Sequence, residues 1–563
     1  MIPFSRRAFL LGSSVLSGSL VVGQALTGCV SAGGGRLSQA NFTHGVASGD
    51  PLTDRVIIWT RAVPADLALE ARIGWQMAED AEFKRIVAEG QAQAKVSYDY
   101  TLKVDVTGLS AGKRYYYRFL SASASSDIGQ TITLPETADS LRMAVFSCSN
   151  YPAGHFNVYQ LASENPDIDL VLHLGDYIYE YGMGGYATQK AATIGRALPA
   201  DNANELLSLT DYRKRYATYR TDKGLLALHQ ARPFIAVWDD HEIANDTWKN
   251  GAENHNEGEG DFLARKMAAI QAYYEWMPIR PPMGDTHQQI YRQFDYGNLV
   301  SLYMLDTRVI ARDEQLDYKG YFAKDSGKFD QAAFARDLMA PQRALMGETQ
   351  LNWLVEAMAT SDCRWQVLGQ QILMGKMLFP AEIIAAGDFK KVPAMISELV
   401  ALKQKVLQGE QLPVEQLARL QQKLAYNLDA WDGYPAEREK LYQAVKQLNK
   451  KLVVLAGDTH NAWYNKLVAA DGSELGIELG VSSVSSPGME TYLSMTHEQA
   501  AQLAQGLTLL IDDLQYCDMS HRGYLHVQFD QSQITSNWCF VDQIDSTEFT
   551  ALTPVTKVWT DTV

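Results

Sequence analysis

The sequence predicts an α/β unit preceded by an all-β domain, and three observations carry this reading. First, short apolar runs stop abruptly at charged side chains: residues 170–174 before Gly175-Asp176, residues 234–238 before Asp239-Asp240-His241-Glu242, and residues 451–456 before Gly457-Asp458-Thr459-His460. A central strand of a parallel sheet is covered on both faces, so its functional groups are delivered at its carboxyl end. Second, residues 143–146, a helical stretch over 157–164 and the run at 170 repeat strand, helix, strand, the pattern of a parallel crossover. Third, residues 42–134 carry alternating and aromatic runs punctuated by turn signals. A chain of 563 residues is also long for one core, so two or more folded units are expected.

Taken in order, the chain begins with paired arginines in Ser5-Arg6-Arg7-Ala8-Phe9-Leu10, ahead of a modest apolar run reaching Leu26. This resembles a twin-arginine export leader and is too weak and short for a secure membrane span. Leu26-Thr27-Gly28-Cys29 looks like a bacterial lipobox, with Cys29 lipidated as the mature amino terminus. The expectation is a leader over 1–28, a tether and β-sandwich over 29–137, and a catalytic domain over 138–563. Export would use the twin-arginine translocase. The product would be an extracytoplasmic, periplasmic lipoprotein held by its lipid anchor, and Val30 in place of aspartate favours the outer membrane by analogy.

In the β-domain, residues 56–59 form a buried strand, and Tyr98, Tyr100, Leu102, Val104 and Val106 alternate onto one face. Residues 108–119 read as a turn followed by an aromatic strand, like the tyrosine corner of an immunoglobulin-like sandwich. Nothing chemical clusters there, and His44 reads as structural. The formal net charge is −16, from 50 basic and 66 acidic side chains, which argues against nucleic acid as a stable partner and suits multivalent cations. Beyond Cys29 the cysteines are Cys148, Cys363, Cys517 and Cys539, of which the last three can pair in an oxidising compartment.

The chemistry concentrates at the strand ends. Cys148 follows the strand at 143–146 and is either a metal ligand or a small buried hydrophobe. Asp176 and Tyr179 supply two oxygens of different hardness, Asp240 a further carboxylate, and Asp458 with His460 a carboxylate and an imidazole two residues apart. His241 suits an acid role. Arg280, and Arg308 in the strand ending Asp306-Thr307-Arg308, are either anion clamps or salt-bridge partners. Gln370 and Gln371 offer amide oxygens, and residues 384–450 read as a helical flank or lid.

Together SCSN, GDYIYEY, WDDHE, LDTR, LGQQ, DAWDGYPAER and AGDTH, after HGVASGDP and WTR, resemble the alkaline phosphatase D (PhoD-like) family of metallophosphoesterases over about residues 42–541. The resemblance implies a four-layer αββα metallophosphatase-type catalytic domain behind an immunoglobulin- or fibronectin-like sandwich. It implies Fe(III) held by Cys148, Asp176, Tyr179 and His460, and one or two Ca(II) on Asp176, Asp240 and Asp458. His241 would protonate the leaving oxygen or steady the phosphoryl group, and Arg280 or Arg308 would hold the phosphate. Asp240 stands where the wider superfamily has asparagine, and Gln370-Gln371 where relatives supply a histidine, which favours calcium over zinc. The function implied is hydrolysis of small phosphomonoesters or phosphodiesters by metal-activated water. The alternatives are a phosphodiesterase acting on phospholipids or cell-wall polymers, and a non-catalytic cation-binding lipoprotein.

Overall fold

The computed structural model describes residues 35–67, 69–282, 288–323, 328–386 and 389–561. The expected leader and Cys29 lie outside the described residues. The chain divides into two compact units.

The first unit runs to Glu136 and also takes in Ser208–Ile235 and Ala268–Gln289. Its strands Ala40–Gly49, Arg55–Pro64 and Thr101–Thr107 pair antiparallel. A second sheet places Ile86–Ala94, Ala71–Ala78, Arg114–Leu120 and Gly129–Ile132 side by side. Val56, Ile58, Val104 and Val106 from one sheet bury against Ile73, Met77, Tyr117 and Phe119 from the other, the alternation a sandwich requires. The tyrosine corner is present: the Tyr115 hydroxyl oxygen accepts from the Ser110 N–H at 2.9 Å. The strand expected from residue 98 starts only at Thr101, because Val96–Tyr98 turns as a 3-10 helix and Asp99 and Tyr100 take φ of 51° and 58°. The later segments add the helix Leu209–Tyr219, opened by a Ser208/Asp211 capping box, and the strand Pro233–Ala236, which pairs parallel with Ala40–Gly49.

The second unit holds two sheets. In one, Ser140–Phe146 and Leu170–His173 run parallel, extended antiparallel by Arg522–Asp530, Gln533–Val541 and Val555–Thr560. In the other, Val300–Met304, Trp365–Gly369, Leu452–Ala456 and Glu474–Gly480 are four parallel neighbours with antiparallel strands outside them. The sheets lie face to face: Trp538 Nε1 donates to the Gly480 carbonyl at 2.9 Å, and a Cβ on Gly369 would sit 3.5 Å from Leu172 Cδ2. Helices Gly347–Thr360, Val392–Leu407, Pro435–Gln447 and His497–Leu510 cover one outer face, burying Leu354, Leu399, Leu441 and Leu507 in a common core. On the other sheet, Tyr159 of the helix Asn157–Ser163 packs on Phe146 with ring centroids 5.1 Å apart. The result is helix, sheet, sheet, helix. Val392–Leu407, expected as flank or lid, is thereby part of the outer helical layer.

Among the described residues there is no disulfide; Cys363, Cys517 and Cys539 are thiols, against the pairing the sequence allowed. No described helix is long and apolar enough to cross a membrane.

Candidate metal centre

Each site residue is placed by the turn that ends a parallel strand. Leaving the strand, the backbone bends through the left-handed region at Cys148, Asp176, Asp458 and His460, with φ of 61°, 55°, 67° and 63°. Non-glycine residues seldom adopt this conformation, and it persists where the surroundings enforce it. Gly175 has φ of 108°, and a Cβ there would lie 2.3 Å from Asp239 Cβ, so only glycine lets these two turns close together. The Val237 N–H donates to the His173 carbonyl at 3.0 Å, which sets Asp239 and Asp240 beside Asp176.

The side chains converge in three overlapping groups: Cys148, Asp176 and His460; Asp176, Asp240 and His241; Asp239, Asp240 and Asp458. Within each, the candidate ligand atoms lie within 4.8 Å of one another. The Tyr179 hydroxyl donates to Asp176 Oδ2 at 3.0 Å, lies 3.3 Å from His460 Nε2, and accepts from Ser486 Oγ at 2.7 Å. His460 Nδ1 donates to the Pro487 carbonyl at 2.8 Å, which turns the Nε2 lone pair toward the group. Burial pushes this imidazole down to about 3, so it is a neutral donor. All six residues expected as metal ligands (Cys148, Asp176, Tyr179, Asp240, Asp458 and His460) are therefore brought together.

Two glutamates brace the centre. Glu242 accepts from the backbone N–H groups of Asp176 at 3.0 Å, Tyr177 at 2.6 Å and Asp239 at 2.7 Å. Glu180 accepts from His241 Nδ1 at 2.7 Å, the Asn245 N–H at 2.8 Å and Asn254 Nδ2 at 2.8 Å. His241 stacks on Tyr179 with centroids 4.1 Å apart. Burial alone would strip its proton, but Asp240, Asp176 and Glu180 together hold its pKa well above the ordinary imidazole value.

The electrostatics show a deficit of positive charge. Burial first, and neighbouring carboxylates next, raise Asp176 and Asp458 well above the carboxylate range. Burial lifts Asp239 to about 7 despite Arg308, and burial with Asp176 raises the Cys148 thiol. Asp240 is held low, where Arg308 and His241 outweigh its burial, and so is Glu180, where His241 and its hydrogen bonds do the same. Two carboxylate oxygens, Asp176 Oδ1 and Asp239 Oδ2, are buried with no hydrogen-bond partner. Buried acceptors left this way are costly, and a multivalent cation satisfies both the oxygens and the charge. The donor set of thiol, phenol, imidazole and carboxylates fits a trivalent or divalent metal beside a hard oxygen-seeking one.

The two arginines part company. Arg280 belongs to the first unit: Nε and Nη2 grip Asp105 at 3.0 and 2.9 Å, and Nη1 donates to the Asp50 carbonyl at 2.9 Å. It is a salt-bridge partner inside the β-sandwich unit, and this corrects its expected place in the catalytic set. Arg308 does reach the cluster, but it is fully buried with every nitrogen turned to a carboxylate: Nε to Asp239, Nη1 to Asp429 at 2.7 and 2.8 Å, and Nη2 to Asp458 at 3.2 Å. It is an internal counter-ion for the acids, in place of the expected phosphate clamp. Gln370 and Gln371 offer no open amide oxygen either: one accepts from Trp431 Nε1 at 2.7 Å and the other from Thr307 Oγ1 at 2.7 Å. The sequence marked the run Asp239-Asp240-His241-Glu242 as a site but assigned Asp239 and Glu242 no role of their own, and it did not single out Glu180, Asp429 or Ser486 as site residues. Glu180, Asp239, Glu242 and Asp429 sit inside the motifs GDYIYEY, WDDHE and DAWDGYPAER, whereas Ser486 carries no local signal.

Residues 143–538 match the family model of PhoD-like phosphatase, and residues 28–135 that of the PhoD-like phosphatase N-terminal domain. Alkaline phosphatase D of Bacillus subtilis (strain 168) is 34% identical over 481 residues, covering 82% of this chain and 72% of that protein. The chain is also similar to a solved structure of PhoD, with a TM-score of 0.73 and 30% identity over 92% of this chain and 90% of the other. With both halves of the sequence matched and the fold shared along nearly its whole length, the chain belongs to the PhoD-like phosphatase family.

Proposed function

We propose that this phosphatase is metal-dependent and hydrolyses phosphomonoesters, phosphodiesters or both. The observation that carries the reading is the pair of buried, partnerless oxygens on Asp176 and Asp239 inside a cage of thiol, phenol, imidazole and carboxylates. Cys148, Tyr179 and His460 would hold Fe(III), Asp240 and Asp458 would hold Ca(II), and Asp176 would contribute to both. The chemistry such a pair would supply when bound is polarisation of the phosphoryl oxygens and activation of the attacking water. Glu242 fixes the backbone that carries Asp176 and Asp239, so the carboxylates are aimed before substrate arrives. His241, protonated and anchored through Nδ1 on Glu180, has Nε2 to offer a proton to the leaving alkoxide. Arg308 keeps Asp239, Asp429 and Asp458 apart and oriented.

The test combines elemental analysis with turnover. Purified protein should contain iron and calcium and release p-nitrophenol from p-nitrophenyl phosphate or its bis ester. Chelation and Asp176→Asn should abolish release, and full activity in Asp176→Asn would refute the assignment. We further propose export by the twin-arginine route and anchoring through lipid on Cys29, on the strength of Arg6-Arg7 and the Leu26-Thr27-Gly28-Cys29 run. Replacing both arginines by lysine should retain the protein in the cytoplasm, and Cys29→Ser should release it from the membrane fraction.

A further inference from the structure

Two buried serines touch the thiol and the phenol of the cage without belonging to the proposed ligand set. Ser147 follows the strand Ser140–Phe146, and its Oγ lies 2.8 Å from Cys148 Sγ while accepting from the Asp458 N–H at 3.3 Å. Gly457 leaves room for this hydroxyl, since a Cβ there would fall 2.2 Å from Ser147 Oγ. Ser486 lies beyond the strand Glu474–Gly480 and donates from Oγ to the Tyr179 hydroxyl at 2.7 Å. The two serines are tied together through the backbone: the Val484 N–H donates to the Ser147 carbonyl at 3.0 Å, and the Ser486 N–H to the Cys148 carbonyl at 3.4 Å. The turn that presents the thiol thus also fastens the loop that reaches the phenol.

The direction of both bonds is fixed when these groups act as ligands. A metal-bound cysteine or tyrosine has lost its proton, so Sγ and Oη then only accept. Ser147 Oγ already takes the Asp458 N–H, and its own proton is left for Sγ. Ser147 and Ser486 are both fully buried, so each hydroxyl meets its anion in a low-dielectric interior where the bond is strong. A hydrogen bond to a coordinated sulfur or oxygen draws charge back from the metal. That is how groups outside the ligand set adjust a metal's affinity for electrons.

We infer that Ser147 and Ser486 are positioning residues that tune an iron site by donating to its thiolate and its phenolate. This rests on the Fe(III) assignment above. The readout is the visible charge-transfer absorption of a phenolate on Fe(III), recorded on iron-loaded protein. In Ser486→Ala the phenolate loses its donor and releases charge more readily, so the band should move to longer wavelength. In Ser147→Ala the thiolate becomes the stronger donor and leaves the iron a poorer acceptor, so the same band should move to shorter wavelength. Both variants should lower the Fe(III)/Fe(II) midpoint potential. Wild-type protein loaded with iron in D2O gives a check that needs no variant: the iron–sulfur and phenolate C–O vibrations seen by resonance Raman should shift on exchange of the serine protons. Band shifts in one direction for both variants, no shift in either, or vibrations insensitive to D2O would overturn the tuning and leave the iron assignment standing. Iron-loaded wild-type protein that shows no phenolate band would remove that assignment, and the tuning with it.

Discussion

The β-sandwich unit and the candidate metal centre of the second unit treat buried charge in opposite ways. In the β-sandwich unit it is matched: Arg280 takes both oxygens of Asp105, Arg213 takes both oxygens of Glu275 at 2.6 Å, and Lys103 Nζ donates to the carbonyls of Tyr274 and Ile279. At the candidate metal centre Arg308 faces Asp239, Asp240, Asp429 and Asp458, Arg312 pairs only with Asp429 among the described carboxylates, and two carboxylate oxygens go unpaired. Buried charge that is paired is already compensated, whereas an excess of one sign is the electrostatic pattern of a functional site.

The contrast can be broken by mutation, and the largest expected effect is at Asp176. Asp176→Asn should lower phosphoester turnover about a thousandfold if it removes the proposed shared metal ligand. It should also raise the melting temperature of metal-free protein, because it deletes a carboxyl whose ionised form is disfavoured first by burial and then by neighbouring carboxylates. A lowered melting temperature would mean that the acids are not in excess. Next come the two arginines. Arg308→Met leaves several buried acids without their counter-ion and should cost about 3–5 kcal/mol in urea unfolding. Arg280→Met should cost about 2 kcal/mol and leave turnover per folded molecule unchanged. Equal costs together with equal turnover would erase the distinction between them.

His241→Asn should slow hydrolysis of alkyl phosphates about a hundredfold. It should slow p-nitrophenyl phosphate much less, because p-nitrophenolate leaves without a proton. Equal slowing would remove the general-acid role.

The pH dependence sharpens the same comparison. Asp239 and Glu242 are lifted to about 7 and about 8, chiefly by burial, so both have raised folded-state pKa values. Stability from their protonated forms is complete below the unfolded carboxylate value near 4 and is lost as pH rises through about 7 to 8. Metal-free protein should therefore melt at progressively lower temperature from pH 5 to pH 8, and metal-loaded protein should not. A flat profile for the metal-free form would argue that these carboxyls are already compensated. The smallest effect belongs to the sandwich: Tyr115→Phe deletes one corner hydrogen bond and should cost about 1 kcal/mol, with turnover unchanged.

The convergence of the strand-end residues was legible for a plain reason. Strands covered on both faces must be apolar, so a thiol, carboxylate or imidazole just past the last apolar residue stands out in the linear order. Cys148, Asp176, Asp458 and His460 each sit at such a break. Arg280 and Arg308 had no comparable signature. Arg280 finds Asp105 from 175 residues away and Arg308 finds Asp429 from 121, and nothing local distinguishes a clamp from a counter-ion. The recruitment of Ser208–Ile235 and Ala268–Gln289 into the first unit was hidden for a related reason, since a strand's pattern records that it is buried and not which neighbour buries it.

By itself the amino-acid order determined the periodicities, the breaks at the strand ends and the inventory of ligand types, all of which follow from the chemistry of neighbours a few residues apart. Tertiary structure alone decided which charges are cancelled and which are left waiting. That balance is a sum over groups hundreds of residues apart, brought within a few ångströms only when the two sheets of the second unit close on each other.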